Sequence, residues 1–211
     1  MATQKCTTPK GELEWVTITG EGKENLSGTM QYIANLVLAE GDSFKAEIDT
    51  FWEENKPKGI KKPKSTGCYP HTVRSDETDD EGSPIYEPTG KLQFTFKTGT
   101  TYTSGDAKVI KIFNSKAREV QLGDISIGNG SVGQISGAMG IYLVKSKAGK
   151  IIDAGVTLYL DKIQLHKLIE YEADSGFEAS EDDGDDEGWT GDEGWTGDEP
   201  DEKPASAGPR L

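Results

Sequence analysis

Residues 29–38, Thr-Met-Gln-Tyr-Ile-Ala-Asn-Leu-Val-Leu, carry the pattern from which the fold of this chain can be predicted. From Met30 onward, every second side chain is apolar or aromatic. Successive side chains of a strand point to opposite faces of a sheet. This period of two therefore predicts a core strand whose buried face carries Met30, Tyr32, Ala34, Leu36 and Leu38.

The same alternation recurs along the chain. In residues 13–19 it places Leu13 and Trp15 on one face and Val16 and Ile18 on the other. Further alternating segments predict strands at residues 91–97, 108–114, 132–144 and 151–160, with a hairpin loop at residues 99–105. Residues 161–171 suit either a strand or a helix capped by Asp161.

One segment has the period of a helix instead. Its apolar side chains recur at intervals of three and four after two candidate N-caps, Asp42 and Ser43: Phe44, Ile48, Phe51 and Trp52. Residues 55–75, called the lysine segment here, follow with five lysines, Arg74 and no acid. Their prolines predict irregular backbone. Residues 76–81 then supply five acids. We interpret residues 40–90 as a basic and helical insertion between strands.

These elements predict a mainly β fold. About seven strands, one amphipathic helix in an insertion and lysines on strand faces favour a small Greek-key barrel of the OB-fold type. The glycines at positions 133, 137 and 140 suit strands that bend sharply in such a barrel. Residues 1–172 are predicted to form this domain, and residues 173–211 a disordered acidic C-terminal tail.

The tail holds most of the charge of the chain. Residues 173–211 contain 14 acids and two bases, whereas residues 1–172 contain 23 acids and 21 bases. Such a composition buries too little apolar surface to offset chain entropy, so disorder is expected. The hexapeptide Glu-Gly-Trp-Thr-Gly-Asp occurs twice, at residues 187–192 and 193–198. Acids with spaced aromatics favour docking on basic surfaces; the alternative is a solubilising tail. The candidate partner-binding residues are Asp182, Asp183, Asp185, Asp186, Trp189 and Trp195.

The sequence argues against several classes of function. No apolar run approaches the roughly 20 residues of a membrane span, and the first residues lack the apolar core of a signal peptide. Cys6 and Cys68 are isolated and have no metal-ligand spacing. The Gly-x-Gly-x-x-Gly match at Gly128 is followed by strand composition, not by the helix that a dinucleotide site needs. We therefore expect a cytoplasmic protein that is not an enzyme and has no metal or other cofactor.

Cations and aromatic side chains outside the tail point to single-stranded nucleic acid. Such binding needs positive charge along the phosphates and flat faces on which bases stack. The candidate residues are Trp15, Lys61, Lys62, Lys64, Tyr69, Arg74, Lys97, Tyr102 and Lys111. For the lysine segment the alternative is a solvated loop neutralised by the acids at 76–81. For Trp15 the alternative is an ordinary core position, since Leu13 shares its predicted face.

Several longer segments, in order, make the chain resemble a known family. They are Pro-Lys-Gly-Glu-Leu-Glu-Trp-Val at 9–16, Phe-Trp-Glu-Glu-Asn-Lys-Pro at 51–57, Phe-Thr-Phe-Lys-Thr-Gly at 94–99, Ile-Gly-Asn-Gly-Ser-Val-Gly at 127–133, Ser-Gly-Ala-Met-Gly-Ile-Tyr at 136–142, Gly-Val-Thr-Leu-Tyr-Leu at 155–160 and Gln-Leu-His-Lys-Leu-Ile-Glu-Tyr at 164–171. Over residues 5–178 the sequence resembles the single-stranded DNA-binding proteins of tailed bacteriophages.

The resemblance implies an OB-fold and sequence-independent binding of single-stranded DNA during phage replication or recombination, in the cytoplasm of the host cell. It also implies an acidic tail that contacts replication proteins such as a polymerase or a helicase–primase. A homodimer is a further candidate assembly. Tails of this kind end in an aromatic residue, whereas this sequence ends Gly-Pro-Arg-Leu. The anchoring role has therefore either moved to Trp189 and Trp195 or been lost.

Two hypotheses follow from these observations. In the first, the protein is a non-enzymatic single-strand binder whose tail competes with DNA. In the second, the acidic tail mimics DNA and occupies the nucleic-acid site of a partner protein. The affinity of the tail-less domain for an oligonucleotide separates the two.

Overall fold

The computed structural model describes residues 2–123 and 125–171. These residues form ten strands and one α-helix. The strands are β1 (Thr3–Thr7), β2 (Gly11–Thr17), β3 (Lys23–Glu24), β4 (Met30–Ala39), β5 (Cys68–Thr78), β6 (Pro84–Gly99), β7 (Lys111–Phe113), β8 (Glu119–Val120), β9 (Ser131–Lys145) and β10 (Ile151–Lys167). The helix is α1 (Ser43–Asn55).

Five of the strands close into a barrel. The order β9–β2–β4–β6–β10 returns to β9, because β10 also pairs with β9 along most of its length. Every pair in this ring is antiparallel except β6–β10, which is parallel. A five-stranded Greek-key barrel is the architecture of the OB-fold. The predicted fold class is confirmed.

The core fills the barrel, and on β4 it includes Tyr32, Ala34, Leu36 and Leu38 from the predicted face. Phe94 and Phe96 of β6 are fully buried, and Phe44 of α1 packs on both, with ring centroids 5.2 Å and 6.1 Å away. The helix begins after Asp42, whose carboxylate accepts a hydrogen bond from the Phe44 N–H at 2.9 Å, so Asp42 and not Ser43 is the N-cap. Among the residues described, no helix combines the length and apolar character that crossing a bilayer requires.

A β-bulge in β2 changes the predicted faces of that strand. Glu14 pairs with Asn35 but Thr17 pairs with Ile33, so β2 has one residue more than β4 over this stretch. Trp15 takes up the extra length with a positive φ of 50°. Leu13 is buried and Trp15 is 67% exposed. The predicted shared face of these two residues, and the core alternative for Trp15, are therefore wrong, because a bulge breaks the period of two.

The insertion contains more regular structure than the sequence indicated. Residues 68–75 were predicted to be irregular, but they belong to β5, which pairs with β6. The outer part of this hairpin, residues 71–90, is called the acidic arm here, because it carries the acids at 76–81. His71 joins the arm to the barrel, because its Nε2 lies 3.2 Å from Glu14 Oε2 on β2, while its Nδ1 lies 2.8 Å from Thr89 Oγ1 within the arm.

Two further predictions are settled at β10. Residues 161–167 continue that strand, so the helix alternative is wrong for them. The return strand predicted at residues 108–114 is shorter and does not pair with β6. Instead β7 pairs with β10 from Lys162 onward, beyond the point at which β6 pairs with Leu158 and Tyr159.

The glycines of β9 occupy positions where a Cβ would collide with a neighbour. A Cβ on Gly133 would lie 2.7 Å from Leu13, and one on Gly140 would lie 2.7 Å from the ring of Tyr159. At Gly137 the obstacle is the carbonyl of Tyr159. Glycine is needed at these positions because a neighbouring strand or side chain approaches closely. From the sequence alone, the same glycines were explained by strand bending.

Candidate nucleic-acid interface

A groove lined by tyrosines opens on the outer face of the barrel, where β5, β6, β9 and β10 meet. It has a volume of about 370 Å³, and its walls include Tyr69, Lys97, Tyr142 and Tyr159. Tyr69 and Tyr159 are 46% and 43% exposed. This surface is called the tyrosine groove below. It offers aromatic faces and a cation within one concave site.

The strand pattern explains why two of these rings lie outside the barrel. Leu158 and Leu160 point into the core, so Tyr159 between them points outward. The rings of Tyr159 and Tyr142 lie over glycines on the neighbouring strand, where a Cβ on Gly140 or Gly155 would come within 2.7 Å or 2.6 Å of the respective ring. Glycine therefore lets each tyrosine lie close to the sheet surface.

The lysine segment runs beside the groove. Ser65, which lines the groove, accepts a hydrogen bond from the Val156 N–H at 2.8 Å, and the Lys64 N–H donates to the Ala154 carbonyl at 2.8 Å. The Ser65 and Tyr69 hydroxyls are 2.8 Å apart, which orients that ring. Lys61, Lys62 and Lys64 are exposed.

The alternative for this segment, neutralisation by the acids at 76–81, finds no support in the geometry. Within the described ranges, 2–123 and 125–171, Lys61, Lys62 and Lys64 form no ion pair. The acidic arm contributes none either, apart from the contact between His71 and Glu14. The positive charge of the segment is therefore not cancelled by direct contact with the arm.

Sheet register leads from the groove to Thr17, which adjoins the bulge that contains Trp15. Thr17 of β2 pairs with Ile33 of β4, Ile33 with Lys97 of β6, and Lys97 with Tyr159 of β10. All four side chains point out of the barrel, since their neighbours along each strand face the core. Neighbouring strands lie roughly 4.8 Å apart, so this row covers roughly 14 Å from β10 to β2. The bulge with the exposed indole stands at its β2 end.

Trp15 also lines a separate cavity. That cavity has a volume of about 300 Å³ and is also lined by Lys23, Asn129 and Tyr171. The side-chain oxygen of Asn129 accepts a hydrogen bond from the backbone N–H of Trp15 at 2.8 Å. This bond holds the bulge that directs the indole outward.

Three other predicted residues lie away from the tyrosine groove. Tyr102 is 52% exposed on its loop, with the Lys108 ammonium 5.1 Å from the ring centroid. Lys111 forms an ion pair with Glu119 at 2.9 Å, and this hydrogen bond raises the pKa of the lysine. Arg74 lies on the acidic arm. The candidate tail residues Asp182, Asp183, Asp185, Asp186, Trp189 and Trp195 lie outside the described residues.

Sequence reasoning missed part of the site. Tyr142 and Tyr159 were not named, although the alternation in β9 and β10 already placed them opposite the core side chains. The turn between β9 and β10 was also missed as a source of charge: it carries Lys145, Lys147 and Lys150 and no acid. In OB-folds the loop between the fourth and fifth barrel strands is a common contact with oligonucleotides.

The described residues contain little that suggests metal or thiol chemistry. No group of three His, Cys, Asp or Glu side chains in them is placed to hold a metal ion. Cys6 and Cys68 are free, and burial raises the pKa of the Cys6 thiol to about 11. Cys6 is therefore protonated at neutral pH and a poor nucleophile.

The candidate site is thus an aromatic and cationic surface on an OB-fold. Comparison with known proteins shows which of them this chain is similar to. No protein-family model and no curated protein matches the sequence. The chain is similar to gp2.5, a single-stranded DNA-binding protein encoded by bacteriophage T7, with a TM-score of 0.51 and 16% identity over 83% of this chain and 92% of that one. It is also similar to the C-terminally truncated single-stranded DNA-binding protein of bacteriophage Enc34, with a TM-score of 0.47 and 14% identity over 77% and 85% of the two chains. The gp2.5 match supports a shared fold, and the resemblance to phage proteins of this class is confirmed.

Proposed function

We propose that this protein binds single-stranded DNA, without sequence preference, across the outer face of β10, β6, β4 and β2. The observation that carries the proposal is the outward row from Tyr159 through Lys97 and Ile33 to the bulge at Trp15. It joins the tyrosine groove to the exposed indole on the face that OB-folds use for oligonucleotides.

The chemistry of this face suits a strand but does not read its sequence. Each base has a flat face, so stacking on Tyr142, Tyr159 or Trp15 tolerates any base. Lys97 and the lysines at 61, 62 and 64 supply charge for the phosphates, whose contacts carry no sequence information. Neither an aromatic ring nor a lysine facing the backbone distinguishes one base edge from another. The fold shared with the T7 protein adds support to this assignment.

The acidic tail gives the proposal its second part. With 14 acids against two bases, residues 173–211 compete with DNA for the cationic face and recruit replication proteins, such as a polymerase or a helicase–primase, through their acids and tryptophans. The protein then acts without enzymatic activity in phage DNA replication or recombination. The DNA-mimic hypothesis uses the same tail, but in it the domain itself has no affinity for DNA.

A titration of fluorescent oligonucleotides with single-site variants tests the proposal. Tyr142→Ala and Tyr159→Ala should each weaken binding by roughly 1–3 kcal/mol, which is about 5-fold to 150-fold. Tyr142→Phe and Tyr159→Phe keep the ring and should bind almost as the parent protein does. Tyr86→Ala is the matched control, because Tyr86 is 60% exposed on the acidic arm, outside the groove.

Salt dependence separates stacking from charge in the same titration. Each neutralised phosphate contributes about −0.7 to the slope of log K against log salt. Lys97→Ala should flatten that slope, and Lys61, Lys62 and Lys64 changed together to Ala should flatten it further. The tyrosine variants should keep it. Equal affinities for the groove variants and Tyr86→Ala would reject this face as the site. Absence of binding by both the full chain and residues 1–172 would favour the DNA mimic.

A further inference from the structure

The tyrosine groove continues past Tyr159. A second cavity, of about 410 Å³, shares Tyr159 with the groove. A third cavity, of about 320 Å³, shares Ser136 and Lys162 with the second. The three cavities therefore adjoin one another along β10. Its two later parts are called the lysine channel, after Lys5, Lys108 and Lys162 on their walls.

The channel exists because the partner of β10 changes at this point. β6 pairs with β10 at Leu158 and Tyr159, and β7 pairs with it only from Lys162 onward, so a gap is left on that edge. On the other edge a bulge separates Leu160 from Lys162 opposite β9. Strand geometry of about 3.3 Å per residue makes the path from residue 157 to residue 164 roughly 23 Å long.

The charges in the channel favour an anionic chain. Three lysines line it against one acid, Asp161. Lys5 and Lys162 form no ion pair within the part of the chain that the structure describes. The ammonium of Lys108 donates to Thr98 Oγ1 at 2.7 Å. A lysine ammonium is a compact point charge on a flexible stem, which suits phosphate groups at varied positions.

We infer that the lysine channel binds the phosphodiester backbone of the same DNA strand after it leaves the tyrosine groove. This inference rests on the proposed function and extends the site along β10, away from the row that leads to Trp15. The strand then turns at Tyr159, the residue that borders both surfaces. Phe113 lines the far cavity and offers a stacking face there.

Oligonucleotides of two lengths test the inference in the full chain. A short oligonucleotide that fills only the tyrosine groove should bind the triple variant Lys5→Ala/Lys108→Ala/Lys162→Ala within about twofold of the parent protein. A long one should lose at least about tenfold in affinity at low salt. Three phosphate contacts at about 0.7 each should also reduce the salt slope by roughly 2 for the long oligonucleotide only. Replacement of the same three lysines by Arg should restore both values.

A second triple variant controls for overall charge. Lys45, Lys56 and Lys91 line none of the three cavities and pair with Asp49, Glu53 and Glu12. Their replacement by Ala removes the same charge and should have little effect on the long oligonucleotide. An equal loss in both triple variants would overturn the inference, because it would show a general field effect.

Two other outcomes would also overturn the inference. One is an equal loss for short and long oligonucleotides in the channel variant. The other is a stoichiometry of two short oligonucleotides per chain, falling to one in that variant, which would show a separate site in place of a continuation. Failure of the proposed function looks different: either the parent protein would bind neither length, or Tyr142→Ala and Tyr159→Ala would bind both lengths as Tyr86→Ala does.

Discussion

At the scale of single residues, Trp15 shows how local strain directs an aromatic side chain toward solvent. A positive φ is unusual for a residue with a bulky side chain and costs free energy of order 1–3 kcal/mol. The bulge and the hydrogen bond from the backbone N–H of Trp15 to the side-chain oxygen of Asn129 hold the conformation in place. The result is an indole that is 67% exposed at the end of the proposed binding face.

Replacement of Trp15 should therefore affect binding far more than folding. We expect Trp15→Ala to lose roughly 1–3 kcal/mol of affinity for single-stranded DNA, as a stacking platform would. Its free energy of unfolding should stay within about 0.5 kcal/mol of the parent value, because the side chain is exposed. Trp15→Phe keeps a ring and should retain most of the affinity. Thermal melting beside the titration checks both values; normal affinity of Trp15→Ala would remove the indole from the site.

At the scale of elements, the acidic arm depends on a small number of anchors. Two-stranded hairpins are marginally stable in water on their own. Most residues of the arm are exposed, whereas His71 is only 5% exposed and bridges Glu14 of β2 and Thr89 of β6. We infer that this bridge ties the arm to the barrel.

Loss of the bridge should loosen the arm before it unfolds the barrel. His71→Ala leaves polar partners unpaired, which costs about 1–3 kcal/mol. Backbone amides of residues 72–90 should then exchange hydrogen faster, while amides of the barrel strands change little. Thr72→Ala, at an exposed neighbouring position, is the control. Faster exchange throughout the barrel, with the arm unchanged, would assign His71 to the core instead.

At the scale of the whole molecule, charge is divided between domain and tail. Residues 1–172 are nearly neutral, with 21 bases against 23 acids, and four of their lysines line the tyrosine groove and the lysine channel. The proposed competition between tail and DNA is an electrostatic effect. It should weaken with salt, because the screening length falls from about 10 Å at 0.1 M to about 3 Å at 1 M.

Removal of residues 173–211 should tighten binding of single-stranded DNA at low salt, and the difference should shrink as salt rises. Two tail variants separate charge from aromatic contact. Asp182, Asp183, Asp185 and Asp186 changed together to Asn should reproduce part of the gain. Trp189→Ala/Trp195→Ala should leave DNA affinity unchanged and reduce only the capture of replication proteins. Equal or weaker DNA binding by the truncated chain would reject competition.

The sequence by itself determined the fold class and much of the core. Alternation in residues 29–38 and 91–97 specified buried faces, because a strand has a period of two regardless of its neighbours. The helix followed from local spacing in the same way, with Asp42 as one of two candidate caps. The uneven division of charge was likewise available from composition alone, since it requires no coordinates.

Only the tertiary structure decided how the site is assembled. The bulge at Trp15 arises from the pairing of β2 with β4, so alternation within one strand could not predict it. The exchange of β6 for β7 beside β10 is also a property of the sheet as a whole. Tyr142 and Tyr159 could have been identified as outward-facing from the sequence, but their meeting with Tyr69 and Lys97 could not. Residues far apart in the chain become neighbours only through barrel closure, and closure depends on long-range pairing that no local pattern encodes.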